Sequence, residues 1–201
     1  MSQKIIETER LIIRSFILDD LQVIHRILDQ TLSDGSKVDD EAALMERRSW
    51  LEWSLLSQEW LPKMGQFPYG DRAIMLKSTG TLIGATGYVP MLDIYDQIPE
   101  LMSGVAPSKY RVPEVGLFWA IDPIYQRQGY ASEAAQGLIE YAFKHLRLKR
   151  ILATTEYENI ASQAVMQKVG MKLTRNPLPT PPCLQVVGVI ENSSSETKTV
   201  A

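Results

Sequence analysis

The sequence is poor in cysteine and in histidine. Cys183 is the single cysteine among 201 residues, which excludes an internal disulfide framework and any site built from several thiolates. His25 and His145 are the two histidines, so a histidine-based metal site would need carboxylates as well. We therefore predict that the chain holds no structural metal.

The chain also lacks an excess of positive charge and any long apolar stretch. Its formal net charge is -3 and its pI is near 5.5, so composition does not favour nucleic acid or an anionic membrane as a partner. No stretch reaches the roughly 18 apolar residues of a membrane span, and the first residues lack the apolar centre of a signal peptide. We expect a cytoplasmic protein.

The sequence does contain an ordinary share of hydrophobic residues, 45%, over a length suited to one domain. We predict a single domain over 1–192. The remaining residues, 193–201, are polar and lack periodicity, so we predict a disordered tail there.

Hydrophobic periodicity predicts a mixed sheet with helices packed on its faces. Strands are predicted at 5–16, 71–76, 81–89, 114–121, 151–155, 171–174 and 184–191. Helices are predicted after a cap at Asp19 or Asp20, over 39–60, over 131–147, and from a cap at Asn159 to Gly170. The segment 90–113 contains four prolines and no periodicity, which indicates either an active-site loop or a mobile segment.

The most informative segment is Gln126-Arg127-Gln128-Gly129-Tyr130-Ala131-Ser132, between a strand that ends before proline and an amphipathic helix. A glycine turn that leads into a helix leaves backbone N–H groups unpaired at the positive end of the helix dipole, which suits a pyrophosphate. Gly129 would let the backbone approach the ligand closely, and Arg127 could add a charge. An ordinary strand-to-helix turn fits the same residues. A P-loop and a three-glycine dinucleotide turn are both absent.

These residues resemble the acetyl-CoA loop of the GNAT superfamily, whose pattern Gln/Arg-x-x-Gly-x-Gly/Ala is matched by Gln126, Gly129 and Ala131. The resemblance is closest to the Rim-type branch, the acetyltransferases of ribosomal-protein N-termini and their relatives. It extends in the expected order over 7–14, 114–134 and 159–171. It implies an α/β fold with a mixed, mostly antiparallel twisted sheet of about seven strands and about four helices.

The same resemblance implies an acyltransferase that moves the acetyl group of acetyl-CoA, as cosubstrate and without a metal, to a primary amine. The acceptor would be a small-molecule amine or a protein N-terminus. The backbone of Gln126, Arg127, Gln128, Gly129, Tyr130, Ala131 and Ser132 would cradle the pyrophosphate of CoA. The strand at 117–121 would open to bond the pantetheine arm.

Several side chains have two possible roles under this resemblance. Phe118, Trp119 and Ala120 would line the pantetheine arm, or they belong only to the core of the sheet. Asn159 would reach the pantetheine or acetyl end, or it is a plain helix cap.

Direct attack of an amine on the thioester requires a base for the amine and an acid for the leaving thiolate. Glu114 is the candidate base, acting directly or through a water, and its alternative is an ion-paired carboxylate at a strand end. Many GNAT members carry a tyrosine acid where this chain has Met166, and the Rim-type pattern offers Ser162 instead. Ser162 could equally be a first-turn residue that bonds the backbone.

The acceptor is expected to approach over the second helix and the 90–113 segment, and the aromatic residues to inspect on that side are Trp50, Trp53, Tyr69 and Tyr95. A tryptophan on an amphipathic helix is more often a core residue than a pocket residue. The missing tyrosine leaves a second function open, a catalytically silent CoA-binding sensor or interaction module. A homodimer is compatible with the fold, although no residue demands it.

Overall fold

The computed structural model describes residues 5–98, 101 and 109–192, and within them the chain forms eight strands and four helices. The strands are β1 (Ile6–Glu7), β2 (Leu11–Arg14), β3 (Gly70–Leu76), β4 (Thr81–Asp93), β5 (Val112–Ile121), β6 (Arg150–Thr155), β7 (Lys172–Arg175) and β8 (Val186–Glu191). The helices are α1 (Leu21–Leu32), α2 (Glu41–Lys63), α3 (Tyr130–Lys144) and α4 (Ile160–Lys168).

The strands form one sheet in the order β1-β2-β3-β4-β5-β6-β8-β7. Five neighbouring pairs are antiparallel, β1–β2, β2–β3, β3–β4, β6–β8 and β7–β8. Strands β5 and β6 are parallel and pair at one position, Gly116 with Leu152. The predicted fold class is confirmed, with eight strands in the described residues where the sequence predicts seven.

The chain divides into two compact units, each assembled from two separate segments. The first unit contains Met1–Val89 and Phe118–Leu138, and the second contains Pro90–Leu117 and Ile139–Ala201. The prediction of one domain over 1–192 stays a prediction. The predicted tail at 193–201 lies outside the described residues.

In the first unit, apolar side chains of α1 and α2 cover one face of β3, β4 and the end of β5. Burial of this apolar surface is the main force that holds the helices on the sheet. The buried cluster consists of Phe16, Ile24, Ile27, Leu28, Leu51, Ala73, Leu82, Ala85 and Ala120.

In the second unit, a separate cluster packs around β6 and β8. Its buried members are Tyr95, Ile98, Leu101, Leu152, Leu184 and Val187. Met166 of α4 is fully buried as well, and a Cβ at Gly188 of β8 would lie 3.1 Å from its sulfur. Helix α4 is thus seated closely on the sheet because position 188 has no side chain.

The prediction of a single strand over 5–16 is wrong, because the chain reverses at 8–10. Ile6 lies opposite Ile13 and Glu7 opposite Ile12 in an antiparallel pair. The turn is closed by the Thr8 amide, which donates to the Leu11 carbonyl at 3.0 Å, and by the Leu11 amide, which donates to the Thr8 hydroxyl at 3.0 Å.

The predicted helix caps have mixed outcomes. Asp20 makes no capping hydrogen bond to α1, because its carboxylate oxygens accept from Arg14 at 2.7 and 2.8 Å instead. Asn159 caps α4 as predicted, and its side-chain oxygen accepts from the Ser162 amide at 3.0 Å. Helix α3 ends at Lys144, three residues before the predicted end at Arg147, whose φ of 55° is not helical.

The segment 90–113 is less irregular than the sequence predicts. Residues 90–93 continue β4, 95–97 form a 3-10 turn, and 112–113 begin β5. Residues 99–100 and 102–108 lie outside the described residues. Separately, no helix in the described part of the chain is both long enough and apolar enough to cross a bilayer.

Candidate active site

Asp122, the first residue after β5, anchors the loop that precedes α3. One Asp122 carboxylate oxygen accepts from the Ile124 amide at 3.2 Å and the other pairs with Arg26 of α1 at 2.5 Å. The Asp122 side chain is almost fully buried. Gln126 adds a further anchor, since its side-chain amide donates to the Ile121 carbonyl at 2.9 Å. The end of β5 and the start of the loop are therefore fixed.

The backbone of this loop is left-handed at two residues. Arg127 has a φ of 59° and Gly129 a φ of 85°. A left-handed conformation costs a residue other than glycine about 1–2 kcal/mol, and backbone turned in this way gathers N–H groups into a concave site for anions. The Glu133 amide makes the first helical bond, to the Gly129 carbonyl at 3.0 Å. The four amides from 129 to 132 have no carbonyl of the preceding turn as a partner.

A network around Glu133 ties the first turn of α3 to the β1–β2 turn. The Thr8 hydroxyl and the Arg10 amide donate to one Glu133 oxygen at 2.5 and 2.7 Å, and Arg10 Nε donates to the other at 2.6 Å. Burial alone would raise the pKa of Glu133, but the hydrogen bonds from Thr8 and Arg10 outweigh it and lower that pKa.

Arg10 extends the same network to the loop. A terminal guanidinium nitrogen of Arg10 donates to the Gln128 carbonyl at 3.1 Å, and its guanidinium carbon lies 4.4 Å from the centre of the Tyr130 ring. The sequence holds no direct signal for these contacts, because position 10 and positions 128–133 are more than a hundred residues apart.

The three predicted pantetheine-lining residues on β5 differ in burial. Ala120 is a member of the buried cluster of the first unit, Phe118 packs against that cluster, and Trp119 is half-buried. The Phe118 carbonyl accepts from the buried Thr86 hydroxyl of β4 at 2.7 Å. The side chains of Phe118 and Ala120 therefore pack in or against the core, and their place along the pantetheine arm stays a prediction.

Glu114 of β5 forms a two-point ion pair with Arg150 of β6. Arg150 Nε donates to one carboxylate oxygen at 3.0 Å, and a terminal guanidinium nitrogen donates to the other. The Glu114 side chain is 9% exposed. The hydrogen bonds to Glu114 raise the pKa of Arg150, against the lowering effect of burial. The structure therefore gives Glu114 the partner that the ion-pair alternative predicts.

Ser162 and Asn159 lie at the start of α4. The Asn159 oxygen is used in capping, and its side-chain nitrogen makes no hydrogen bond to the described residues. The Ser162 hydroxyl likewise makes none within the part of the chain that the structure describes, although the side chain is only half-buried. Met166 faces the core of its unit and is fully buried.

Sequence reasoning missed a carboxylate at the start of β3. One oxygen of Asp71 is buried and has no hydrogen-bond partner among the described residues. Burial raises the pKa of Asp71 to about 6, an effect that the charge of Arg47 on α2 partly opposes. Burial also lowers the pKa of Arg47, whose Nε is buried without a partner in the described residues. No sequence motif marks either residue.

The aromatic residues named for the acceptor side are placed differently from one another. Trp50 packs partly against the core, with its ring 5.5 Å from that of Phe16, whereas Trp53 is 52% exposed. Burial raises the pKa of Tyr69. Tyr95 is a buried core residue of the second unit, and burial, followed by the charges of Asp93 and Glu114, raises its pKa. The general expectation that tryptophans of α2 are core residues is wrong for Trp53.

A comparison with protein families finds one match over most of the chain. The family model described as acetyltransferase (GNAT) domain matches residues 10–172. This range contains the Asp122–Glu133 segment, both residues of the Glu114–Arg150 pair, and the first turn of α4.

Similar proteins carry related names. The Bacillus subtilis (strain 168) protein named uncharacterized N-acetyltransferase YnaD is 54% identical over 59 residues, which are 29% of this chain and 34% of that protein. The chain therefore matches about a third of the length of that relative.

Solved structures share the fold. An acetyltransferase (GNAT family) from Bacillus anthracis has a TM-score of 0.61 at 23% identity, covering 94% of this chain and 99% of that one. RimL, the ribosomal L7/L12 alpha-N-protein acetyltransferase, solved in complex with coenzyme A, has a TM-score of 0.60 at 16% identity, covering 92% and 96%. At these identities the likeness concerns the fold alone.

Proposed function

Because the chain belongs to the GNAT acetyltransferase family, we propose that it transfers the acetyl group of acetyl-CoA to a primary amine by direct attack. The observation that carries the proposal is the left-handed backbone of the loop before α3, at Arg127 and Gly129, which lies inside the family match over 10–172. The acceptor is a small-molecule amine or a protein N-terminus.

The described residues fit acetyl-CoA. The amides of 129–132 and the exposed Arg127 side chain would hold the pyrophosphate, whose charge complements the start of α3. Within the fully described strands β5 and β6, the register pairs Gly116 with Leu152 alone, and the pantetheine arm would bind the backbone of β5 beyond that position. Acetyl-CoA supplies the acetyl group as a thioester.

The transfer forms an amide bond between the amine nitrogen and the acetyl carbon and breaks the carbon–sulfur bond. One proton leaves the amine, and the CoA sulfur receives one. The Ser162 hydroxyl, in the first turn of α4, is the proposed donor to sulfur, and the N-cap Asn159 has a side-chain nitrogen that bonds to none of the described residues. Glu114 is the base predicted from the sequence, and that role requires it to release at least one Arg150 hydrogen bond.

A second function, CoA binding without transfer, is favoured by one observation. Met166 occupies the position of the tyrosine acid of many family members, and its thioether cannot substitute for that acid because it has no proton to donate. The side chain is also fully buried. Ser162 is then the group whose removal separates the two functions.

The test is a calorimetric titration with acetyl-CoA, followed by a thiol-release assay with peptides, amino acids, polyamines and aminoglycosides. Binding with turnover on one amine class is the expected result. Binding without turnover on any class would favour the CoA-binding module. Absence of binding would contradict both functions.

A matched pair of glycine variants controls for folding. Gly129→Ala and Gly80→Ala both place a side chain at a positive φ, 85° and 68° respectively, so both carry a similar backbone cost. We expect Gly129→Ala to weaken acetyl-CoA binding by ~10-fold or more. A tenfold loss corresponds to about 1.4 kcal/mol of binding free energy. Gly80→Ala, in the β3–β4 turn, should bind as the unaltered protein does.

A further inference from the structure

The start of β3 holds a carboxylate that the fold positions but does not use. The Asp71 backbone carbonyl accepts from the Gln58 side chain of α2, and the Gln58 oxygen in turn accepts from the Ser15 hydroxyl. These bonds fix the main chain at position 71. The side-chain oxygen Oδ1 remains buried and unbonded within the described residues. A buried oxygen without a partner costs free energy, so its retention calls for another partner.

The neighbouring strand leaves room for this carboxylate. Gly87 of β4 lies opposite Asp71 in the β3–β4 register. A Cβ at Gly87 would lie 2.7 Å from Asp71 Oδ1 and 2.4 Å from the Gly70 carbonyl oxygen. Any other residue at position 87 would push the carboxylate away, so the side chain of Asp71 extends over β4 only because position 87 is glycine.

The same strand connects Asp71 to the pantetheine segment of β5. Gly87 follows Thr86, whose hydroxyl is bonded to the Phe118 carbonyl. Neighbouring strands are about 4.8 Å apart, so two spacings put the Asp71 backbone roughly 10 Å from that of Phe118. The reacting nitrogen would have to lie within that distance, in reach of both the Asp71 carboxylate and the acetyl carbon.

Arg47 of α2 determines which acceptors fit. Its charge acts on Asp71, yet the two side chains form no ion pair, and its guanidinium lies 5.0 Å from the Trp50 ring. The other charge that acts on Arg47 is that of Asp29 on α1. A purely cationic amine at Asp71 would be repelled by Arg47. An amine with a carbonyl or carboxylate oxygen beside it would satisfy both groups.

We propose that Asp71 and Arg47 form the acceptor site: Asp71 binds the reacting amine and takes its proton, and Arg47 holds an oxygen next to that amine. The substrate class is an amine with an adjacent carbonyl or carboxylate oxygen, as in amino acids, their amides and peptide N-termini. This inference rests on the proposed acetyl transfer. One proton passes from the ammonium to the Asp71 carboxylate and from there to solvent. The neutral amine then attacks the acetyl carbon, and its second proton goes to the CoA sulfur as the carbon–sulfur bond breaks.

The experiment measures kcat and KM for leucine, leucine amide, a leucine-initiated tripeptide and putrescine, which lacks the oxygen. The variants are Asp71→Asn and Arg47→Gln, with Glu46→Gln and Arg48→Gln as exposed controls on the same helix. Acetyl-CoA titration of each variant verifies that the cosubstrate site is intact. The leucine, amide and tripeptide arms distinguish a free amino acid from a peptide end as the source of the amine.

Asp71→Asn should lower kcat/KM for every acceptor about 100-fold, the usual effect of losing a general base, with acetyl-CoA affinity unchanged. Arg47→Gln should raise KM for leucine amide about tenfold, which corresponds to the loss of one hydrogen bond to a charged group. The KM for putrescine should stay the same or fall. The two controls should behave as the unaltered chain. Equal losses for leucine amide and putrescine in Arg47→Gln, or full activity in Asp71→Asn, would overturn the proposal.

If a variant does not fold, the pH profile of the unaltered chain still tests the proposal. The slope of log kcat/KM against pH should decrease by one unit above about pH 6, where Asp71 completes its ionisation. A profile without that break would overturn the role of Asp71. Failure of the unaltered chain to acetylate any amine would overturn the proposed function instead, and this inference with it.

Discussion

Two carboxylates of this chain each have an arginine as a charged neighbour, but only one of the two carboxylates is hydrogen-bonded to its arginine. Glu114 and Arg150 lie two residues before the paired Gly116 and Leu152, so they stand side by side on neighbouring parallel strands. Both Glu114 oxygens are bonded there. Asp71 and Arg47 come from a strand and a helix, and each charge shifts the pKa of the other group although the two side chains form no ion pair.

The difference shows that partner geometry, more than residue type, determines what a buried carboxylate can do. We call Glu114–Arg150, whose carboxylate oxygens are both bonded, the closed pair, and Asp71–Arg47 the open pair. A closed pair stabilises the fold because each charge compensates the other, and breaking it is costly. An open pair destabilises the fold and retains an oxygen that can bind a ligand or take a proton. The four predictions below test this contrast in order of expected effect.

The largest effect should come from removing the arginine of the closed pair. Arg150→Met leaves the Glu114 carboxylate buried and unpaired, which we expect to lower the free energy of unfolding by about 3 kcal/mol. Arg47→Met removes an arginine that forms no ion pair with any described residue, and it should cost less than about 1 kcal/mol. Urea unfolding of both variants at pH 7.5 measures the difference. Equal losses would contradict the contrast between the pairs.

Asp71→Asn should stabilise the protein at neutral pH. The pKa of Asp71 is raised from 3.8 to about 6 in the folded chain, so the unaltered protein loses stability as pH rises through that window. Asparagine carries no such penalty, and we expect a gain on the order of 2 kcal/mol at pH 8, after allowance for partial exposure. Melting curves from pH 4 to 8 should show the gain vanish near pH 4. A variant less stable than its parent at pH 8 would contradict an unpaired carboxylate.

Glu114→Gln should have a smaller effect on catalysis. Because Arg150 already occupies both Glu114 oxygens, we expect turnover to fall less than about tenfold, or 1.4 kcal/mol of activation free energy. Steady-state rates at saturating acetyl-CoA measure the change, with Glu191→Gln, an exposed strand-end carboxylate, as the control. A loss near a hundredfold would instead identify Glu114 as the base predicted from the sequence.

The partly exposed Arg10–Glu133 pair should contribute less to the free energy of unfolding than the Glu114–Arg150 pair does. Glu133→Gln weakens the bonds from Thr8 and Arg10 and should cost about 1 kcal/mol of stability at pH 7. The pKa of Glu133 is lowered in the folded chain, so this contribution exists above its ordinary value of 4.5 and disappears as pH falls below it. Urea unfolding at pH 7 and pH 3.5 tests the trend. A pH-independent difference would show that packing, not charge, is lost.

Elements with strong local signals were predictable from the sequence. Helix α4 has its cap at Asn159 and its left-handed Gly170 where the letters indicate, and β5 stops before Pro123. The loop before α3 was predictable as well, because glycine and proline mark its turns. Local chemistry was sufficient in these places since the deciding contacts lie within a few residues.

Features that depend on distant contacts were not predictable. The reversal at Thr8 is supported by Glu133, and the open carboxylate of Asp71 exists only because α2 covers it and Gly87 leaves space. The order of residues along the sequence indicates neither of these contacts. The catalytic roles of Glu114 and Ser162 stay predictions, since their chemistry depends on a bound thioester.

The half-exposed tryptophans of α2 give the protein a built-in optical signal. Trp53 and Trp60 are 52% and 51% exposed, so collisional quenchers such as iodide should reach these two indoles first. Replacing both with phenylalanine would leave two tryptophans, Trp50 beside Arg47 and Trp119 on β5, where we propose that the pantetheine arm binds. Emission from a chain with only Trp50 would then follow the acceptor, and emission from one with only Trp119 would follow acetyl-CoA.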